Sequence, residues 1–240
     1  MVILAQRWAE EFMKQHGGIA VYVEGGGTAT GVEALIKGKI DICTASRPLR
    51  STEARRLAES HQSLGLATLA AKDGLSIYLH PDNPVRNLTL AQVQGIFTGK
   101  ITNWREVGGE NDAIVALSRS PNSGTYLYFQ EHVLEGQEYG AHVIVLPTTL
   151  AIVAEIGKNP QAIGYGGLAY GRQLVHCNID GVAPTEENVR KNAYPIARYL
   201  YLYTIQKPQG VVKLFMDWVL SQEGQRLIKE IDYIPLIKLP

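Results

Sequence analysis

Two short segments combine glycine, hydroxyl side chains and a helix about to begin: Gly25-Gly26-Gly27-Thr28-Ala29-Thr30-Gly31 and Arg119-Ser120-Pro121-Asn122-Ser123-Gly124-Thr125. A helix N-terminus offers unpaired backbone N–H groups and the positive end of its dipole. Glycine lets an anion approach the backbone closely, and Ser and Thr hydroxyls donate hydrogen bonds without adding charge. Such a turn is a seat for an oxyanion. Arg47, after Ser46, and Arg119 each end a strand-like apolar run. A guanidinium there meets an oxyanion bidentately, outside the carboxyl ends of strands where open α/β sheets bind ligands. Taken singly, the Gly25–Gly31 segment also fits a tight turn before an ordinary capped helix, and each arginine a surface salt bridge. The joint pattern favours anion binding.

Other chemistries find less support. Gly26 and Gly31 have P-loop spacing, but Val32 stands where the lysine is needed, and Thr30 stands where a dinucleotide fingerprint needs its third glycine. The histidines show no His-Glu-x-x-His spacing, and no Gly-x-Ser-x-Gly elbow occurs. Asp73, His80 and Asp82 form no evident acid–base pair. Lys plus Arg equals Asp plus Glu at 23 each, which argues against a dedicated nucleic-acid binder. The two cysteines are too few for a disulfide framework. Cys43 lies in an apolar run and reads as a buried free thiol. Tyr199, Tyr201 and Tyr203 alternate with leucines and read as a strand buried on both faces, not a base-stacking platform. No apolar run reaches the roughly 18 residues of a membrane helix. Met1 leads directly into an amphipathic pattern, not a signal peptide, so compartment is not legible from the sequence directly.

The elements that must position these residues alternate between helix and strand, which implies α/β architecture. Residues 3–16 read as a helix and residues 19–24 as a strand feeding the glycine turn. Thr30 and Glu33 match a capping box for a helix ending at Gly38, and Thr89 and Gln92 match a second for a helix closing near Gly99. Strands are expected over 40–45, 75–80, 114–117, 162–165 and 199–205. Helices are expected over 125–134, 150–156, 211–220 and 223–231.

The order of these segments resembles the phosphate-binding proteins of bacterial phosphate ABC transporters. The resemblance runs through Gly25-Gly26-Gly27-Thr28, Asp41-Ile42, Ser46-Arg47, Asp82-Asn83-Pro84 and Ile96-Phe97-Thr98-Gly99-Lys100-Ile101-Thr102-Asn103-Trp104. It continues through Arg119 with Ser123-Gly124-Thr125, Ile163-Gly164-Tyr165 and Tyr194-Pro195-Ile196-Ala197-Arg198. It implies a two-lobe, periplasmic-binding-protein-like α/β fold with mixed sheets flanked by helices and a ligand cleft between lobes. Residues 1–74 and 169–240 would form lobe one and residues 75–168 lobe two. It implies a non-enzymatic, extracytoplasmic, monomeric protein, periplasmic or at the cell surface. Such a protein captures inorganic phosphate for an ABC-transporter permease, with no cofactor or metal and no nucleic-acid partner. Carried over by position, Thr28, Ser46 and Arg47 would contact phosphate from lobe one, with Arg119, Ser123, Gly124 and Thr125 doing so from lobe two. A stand-alone oxyanion module for sensing or scavenging would use the same residues, as would an enzyme's phosphate subsite.

Two departures follow. The family opens with a strand and a Gly-Ser-Thr-type turn, whereas this sequence starts inside its first predicted helix. Some members also carry aspartate where Arg47 stands, and a carboxylate there accepts the proton of hydrogen phosphate and repels ionised sulfate. Its replacement implies weaker rejection of sulfate, with Asp41 the first alternative acceptor to consider.

Overall fold

A computed structural model describes residues 1–231 and 233–237. They group into two compact units. The first holds Met1–Lys72, Asn122–Gly124 and the chain from Tyr199 on; the second holds Asp73–Pro121 and Thr125–Arg198. Residues 169–198 thus fall in the second unit, beyond the expected boundary at 168. The chain passes between units inside two strands, Leu66–Leu79 and Ala197–Thr204, and again on either side of Asn122–Gly124. Among the described residues no helix is long and apolar enough to cross a membrane.

In the first unit, the helix Val2–Gln15 buries Leu4, Ala5, Trp8, Ala9 and Phe12, the helical spacing of its apolar residues. Trp8 donates its indole N–H to the Gly224 carbonyl at 2.9 Å, and Phe12 packs edge-on against Phe215 and Trp218. This fixes the helix against Gly210–Leu220 and Gln222–Glu230. A second core joins Val32, Leu35 and Ile36 of the helix Thr28–Ile36 to Cys43, Leu57 and Tyr203. Its sheet pairs Cys43–Ala45 antiparallel with the last strand, Cys43 opposite Tyr203.

Two expectations here are corrected. Residues 19–24 alternate between half-buried and exposed, but they form no strand, since no ladder receives them. The Thr30–Glu33 capping box does not form either. The helix begins earlier, at Thr28, with Gly27 as N-cap; Thr30 donates instead to the Gly26 carbonyl at 3.0 Å, and Glu33 pairs with Lys37 and Arg56. The second box is present, with Gln92 N–H donating to Thr89 Oγ1 at 3.1 Å and Thr89 N–H to Gln92 Oε1 at 2.8 Å.

The second unit is a mixed sheet flanked by helices. Ala162–Gly167 runs antiparallel to Leu66–Leu79, with Leu75 opposite Gly167, and parallel to Val115–Arg119. Val115–Arg119 pairs in parallel with Ile144–Leu146, and Val175–Ile179 pairs antiparallel on the other side of Leu66–Leu79. Side-chain alternation divides the faces. On one, Ile152, Val153 and Ile156 of the helix Thr149–Ile156 pack on Tyr78 and Leu117. On the other, Tyr165 stacks on Phe129 at 3.9 Å between ring centroids and meets Phe97 edge-on. Phe129 belongs to the helix Gly124–His132, which follows Val115–Arg119. The strand ends carrying Arg119 and Gly167 are therefore held by packing on both faces.

Candidate functional site

In the first unit the glycine turn and the Ser46 turn converge on Thr28. Gly27 sits at φ 92, a conformation glycine takes without penalty, and a Cβ there would lie 2.8 Å from the Asn122 carbonyl oxygen. Ala29 N–H donates to that oxygen at 3.3 Å, and Asn122 Nδ2 donates to the Gly26 carbonyl at 3.2 Å. Thr28 is buried, and its Oγ1 accepts the Ser46 N–H at 3.1 Å, so its own O–H proton remains to be donated. A Cβ on Gly124 would fall 2.1 Å from Thr28 Oγ1 and 3.4 Å from Ser46 Cβ. Thr28, Ser46 and Gly124 thus meet at one point, with buried Ser123 adjoining it.

Arg47 is placed otherwise than expected. Its Nη1 and Nη2 donate to the two Glu53 oxygens at 2.8 and 2.7 Å, and Nη1 also reaches the Pro48 carbonyl at 2.8 Å. Burial would raise the Glu53 carboxyl, but hydrogen bonds from the Arg47 side chain and the Arg50 backbone hold it below the usual range. The bidentate face that would grip an oxyanion is committed to a carboxylate six residues on, in the helix Ser51–His61.

In the second unit Arg119, at the end of its strand, donates Nη1 to Thr149 Oγ1 at 2.8 Å, while its Nε is buried with no partner. Burial, with the charge of Arg198 acting the same way, lowers the Arg119 pKa, yet the guanidinium stays protonated at any physiological pH. Thr125, in the first turn of Gly124–His132, accepts from Arg198 Nη1 at 3.1 Å. Arg198 Nε and Nη2 both donate to Asp73 Oδ2, at 3.0 and 2.8 Å.

Asp73 and Arg198 escape the sequence-based site. Arg198 ends the resemblance segment beginning at Tyr194, but its partner lies 125 residues away. Asp82 instead lies 3.7 Å from His80. Both cysteines are buried and free. Among the described residues no group of His, Cys, Asp and Glu is arranged to hold a metal. The first unit presents hydroxyls and helix-terminal backbone, and the second an arginine, groups of the kinds that bind small oxyanions.

A family model described as a PBP superfamily domain matches residues 3–223. The chain is 30% identical over 234 residues to the phosphate-binding protein PstS of Bacillus subtilis, covering 95% of this chain and 75% of that protein. It is 27% identical over 256 residues to the protein of the same name from Pseudomonas aeruginosa, covering 97% and 79%. A crystal structure from Clostridium perfringens with bound phosphate, assigned as a phosphate ABC transporter substrate-binding protein, superposes with a TM-score of 0.90 at 29% identity, covering 98% of this chain and 96% of that one. An ABC-type phosphate transport receptor from Vibrio cholerae gives 0.82 at 28%, covering 97% and 95%.

Proposed function

This chain belongs to the PBP superfamily, in the family of the phosphate-binding protein PstS, and on that premise we propose that it captures inorganic phosphate outside the cytoplasm and delivers it, chemically unchanged, to the membrane permease of an ABC transporter. The observation that carries the reading is the state of Arg119. It is a charged donor at a strand end, steadied by Thr149, with a buried Nε that has no protein partner. A buried donor left unpaired costs about 1–3 kcal/mol, more when charged, and a bound anion removes that cost.

We assign phosphate contact to Thr28, Ser46, Arg119, Ser123, Gly124 and Thr125. Arg47 braces the turn after Ser46 through Glu53 and leaves the anion to the others. Hydroxyls, backbone and arginine bind without nucleophile or general base, which fits transport over turnover. Calorimetric titration of phosphate into Arg119→Ala, beside Arg86→Ala, tests this. Arg86 is exposed, and its guanidinium donates to the Pro81 and Val85 carbonyls of its own turn. The first substitution should weaken binding strongly and the second should not.

A further inference from the structure

Behind the strand end that carries Arg119, three hydroxyls form a chain inside the second unit. Ser118 Oγ lies 2.7 Å from the Tyr165 hydroxyl, and the Tyr165 hydroxyl lies 2.7 Å from that of Tyr139. Tyr139 donates onward to the Tyr126 carbonyl at 3.2 Å. A carbonyl can only accept, so one proton order makes every link: Ser118 donates to Tyr165, Tyr165 to Tyr139 and Tyr139 to Tyr126. Burial pushes the Tyr165 hydroxyl up to about 12 and raises that of Tyr139 well above its ordinary value, so both keep their protons.

The ends of the chain show what it joins. Ser118 immediately precedes Arg119, and Tyr126 immediately follows Thr125 in the first turn of Gly124–His132. Between Arg119 and Thr125 the backbone runs through a turn, residues 120–123, that belongs to no strand. The hydroxyls therefore tie the strand end to the helix start by a route other than that turn. The rings that carry them are fixed. Tyr165 stacks on Phe129 at 3.9 Å, and Tyr139 stacks on Tyr126 at 4.3 Å. Gly140, next to Tyr139, donates its N–H to the Phe97 carbonyl of the helix Leu90–Thr98 at 2.9 Å. A Cβ on Gly140 would lie 2.6 Å from His142 Nδ1 and 3.1 Å from the Thr98 carbonyl carbon, so the post that holds Tyr139 sits tight against that helix. None of this ring packing needs a hydroxyl. Phenylalanine would fill both positions without the desolvation cost of a buried O–H. What the two hydroxyls add is the link between Arg119 and the helix turn of Thr125.

We propose that Tyr139 and Tyr165 are positioning residues for the anion, their hydroxyls holding the strand end of Arg119 in register with the helix turn that carries Thr125. The proposal rests on the phosphate-binding reading. Neither tyrosine touches the anion; each acts through Arg119. Contacts held at a fixed spacing before the ligand arrives bind it more tightly than contacts that must be ordered on binding. Cutting the chain should therefore weaken phosphate while every assigned contact residue stays in place.

The test is a double-mutant cycle read by calorimetric titration of phosphate into wild type, Tyr139→Phe, Arg119→Ala and the double variant. Denaturant unfolding checks that each is folded. Tyr139→Phe keeps the ring and should weaken phosphate about three- to tenfold. In the Arg119→Ala background no arginine is left to position, so adding Tyr139→Phe should change affinity by less than about twofold. A merely structural hydroxyl would cost the same in both backgrounds. Tyr165→Phe cuts the chain at its middle and should give the same pattern, and it decides the matter if Tyr139→Phe does not fold. Equal losses in the two backgrounds, or a Tyr139→Phe variant that binds phosphate as tightly as wild type, would overturn the proposal and leave phosphate binding standing. Wild type that binds no phosphate would overturn the phosphate reading itself, and this proposal with it.

Discussion

Replacing Gly124 by alanine probes the point where the first unit's groups converge. The new methyl would sit 2.1 Å from Thr28 Oγ1 and 2.8 Å from Thr28 Cβ, with Ser46 Cβ at 3.4 Å. Thr28 is buried and pinned by the Ser46 N–H, so it cannot swing aside freely. Rotating it breaks a hydrogen bond worth about 0.5–1.5 kcal/mol. Moving backbone instead incurs the roughly 1–3 kcal/mol of an overpacked core. Alanine's better helix propensity returns less than about 1 kcal/mol. The net expectation is a loss of about 1–2 kcal/mol in denaturant unfolding without ligand. Phosphate affinity should fall further, because a displaced Thr28 hydroxyl no longer donates to a charged ligand. That bond is worth about 1.5–3 kcal/mol, or between about tenfold and a hundredfold in Kd. Gly157→Ala is the control, since its methyl would meet only the Val153 and Ala154 carbonyls at 3.5 and 3.7 Å. Unfolding and phosphate titration of both variants measure the two effects. If Gly124→Ala matches wild type in midpoint and affinity, the convergence on Thr28 is wrong.

Two further outcomes are expected. Thr89→Ala should lose about 1 kcal/mol of stability by removing a formed N-cap, whereas Thr30→Ala, whose box does not form, should stay within about 0.5 kcal/mol of wild type by the same unfolding assay. Burial pushes the Cys43 and Cys177 thiols up to about 12. Both should therefore resist alkylation at pH 8 in the folded protein and react on unfolding. Because the folded state disfavours the thiolate, this burial lowers stability only as pH rises past the ordinary thiol value of about 8.5.

What the sequence made legible was local. Arg119 and the Ser-Gly-Thr turn could be placed because strand, turn and helix follow one another within a few residues. The Thr89 box could be read for the same reason. The pairing of Arg47 with Glu53 was not legible, because Glu53 lies on a helix, Ser51–His61, that buries only Leu57 and so shows no apolar face in the sequence. Residues 19–24 carry a real two-residue alternation, but alternation records burial and not pairing, and a strand needs a neighbour. Asp73 and Arg198 were invisible as a pair because only the tertiary fold joins residues 125 apart.

This chain is expected to bind inorganic phosphate through Arg119. Calorimetric titration of phosphate into the wild-type chain, Arg119→Ala and Arg86→Ala tests it most directly. Wild type and Arg86→Ala should each take up one phosphate per chain with similar affinity. Arg119→Ala should lose about 1.5–3 kcal/mol, the worth of a charge-assisted hydrogen bond in a buried site. A wild-type chain that takes up no phosphate would rule out phosphate binding, and an Arg119→Ala variant that binds it as tightly as wild type would rule out Arg119 as its ligand.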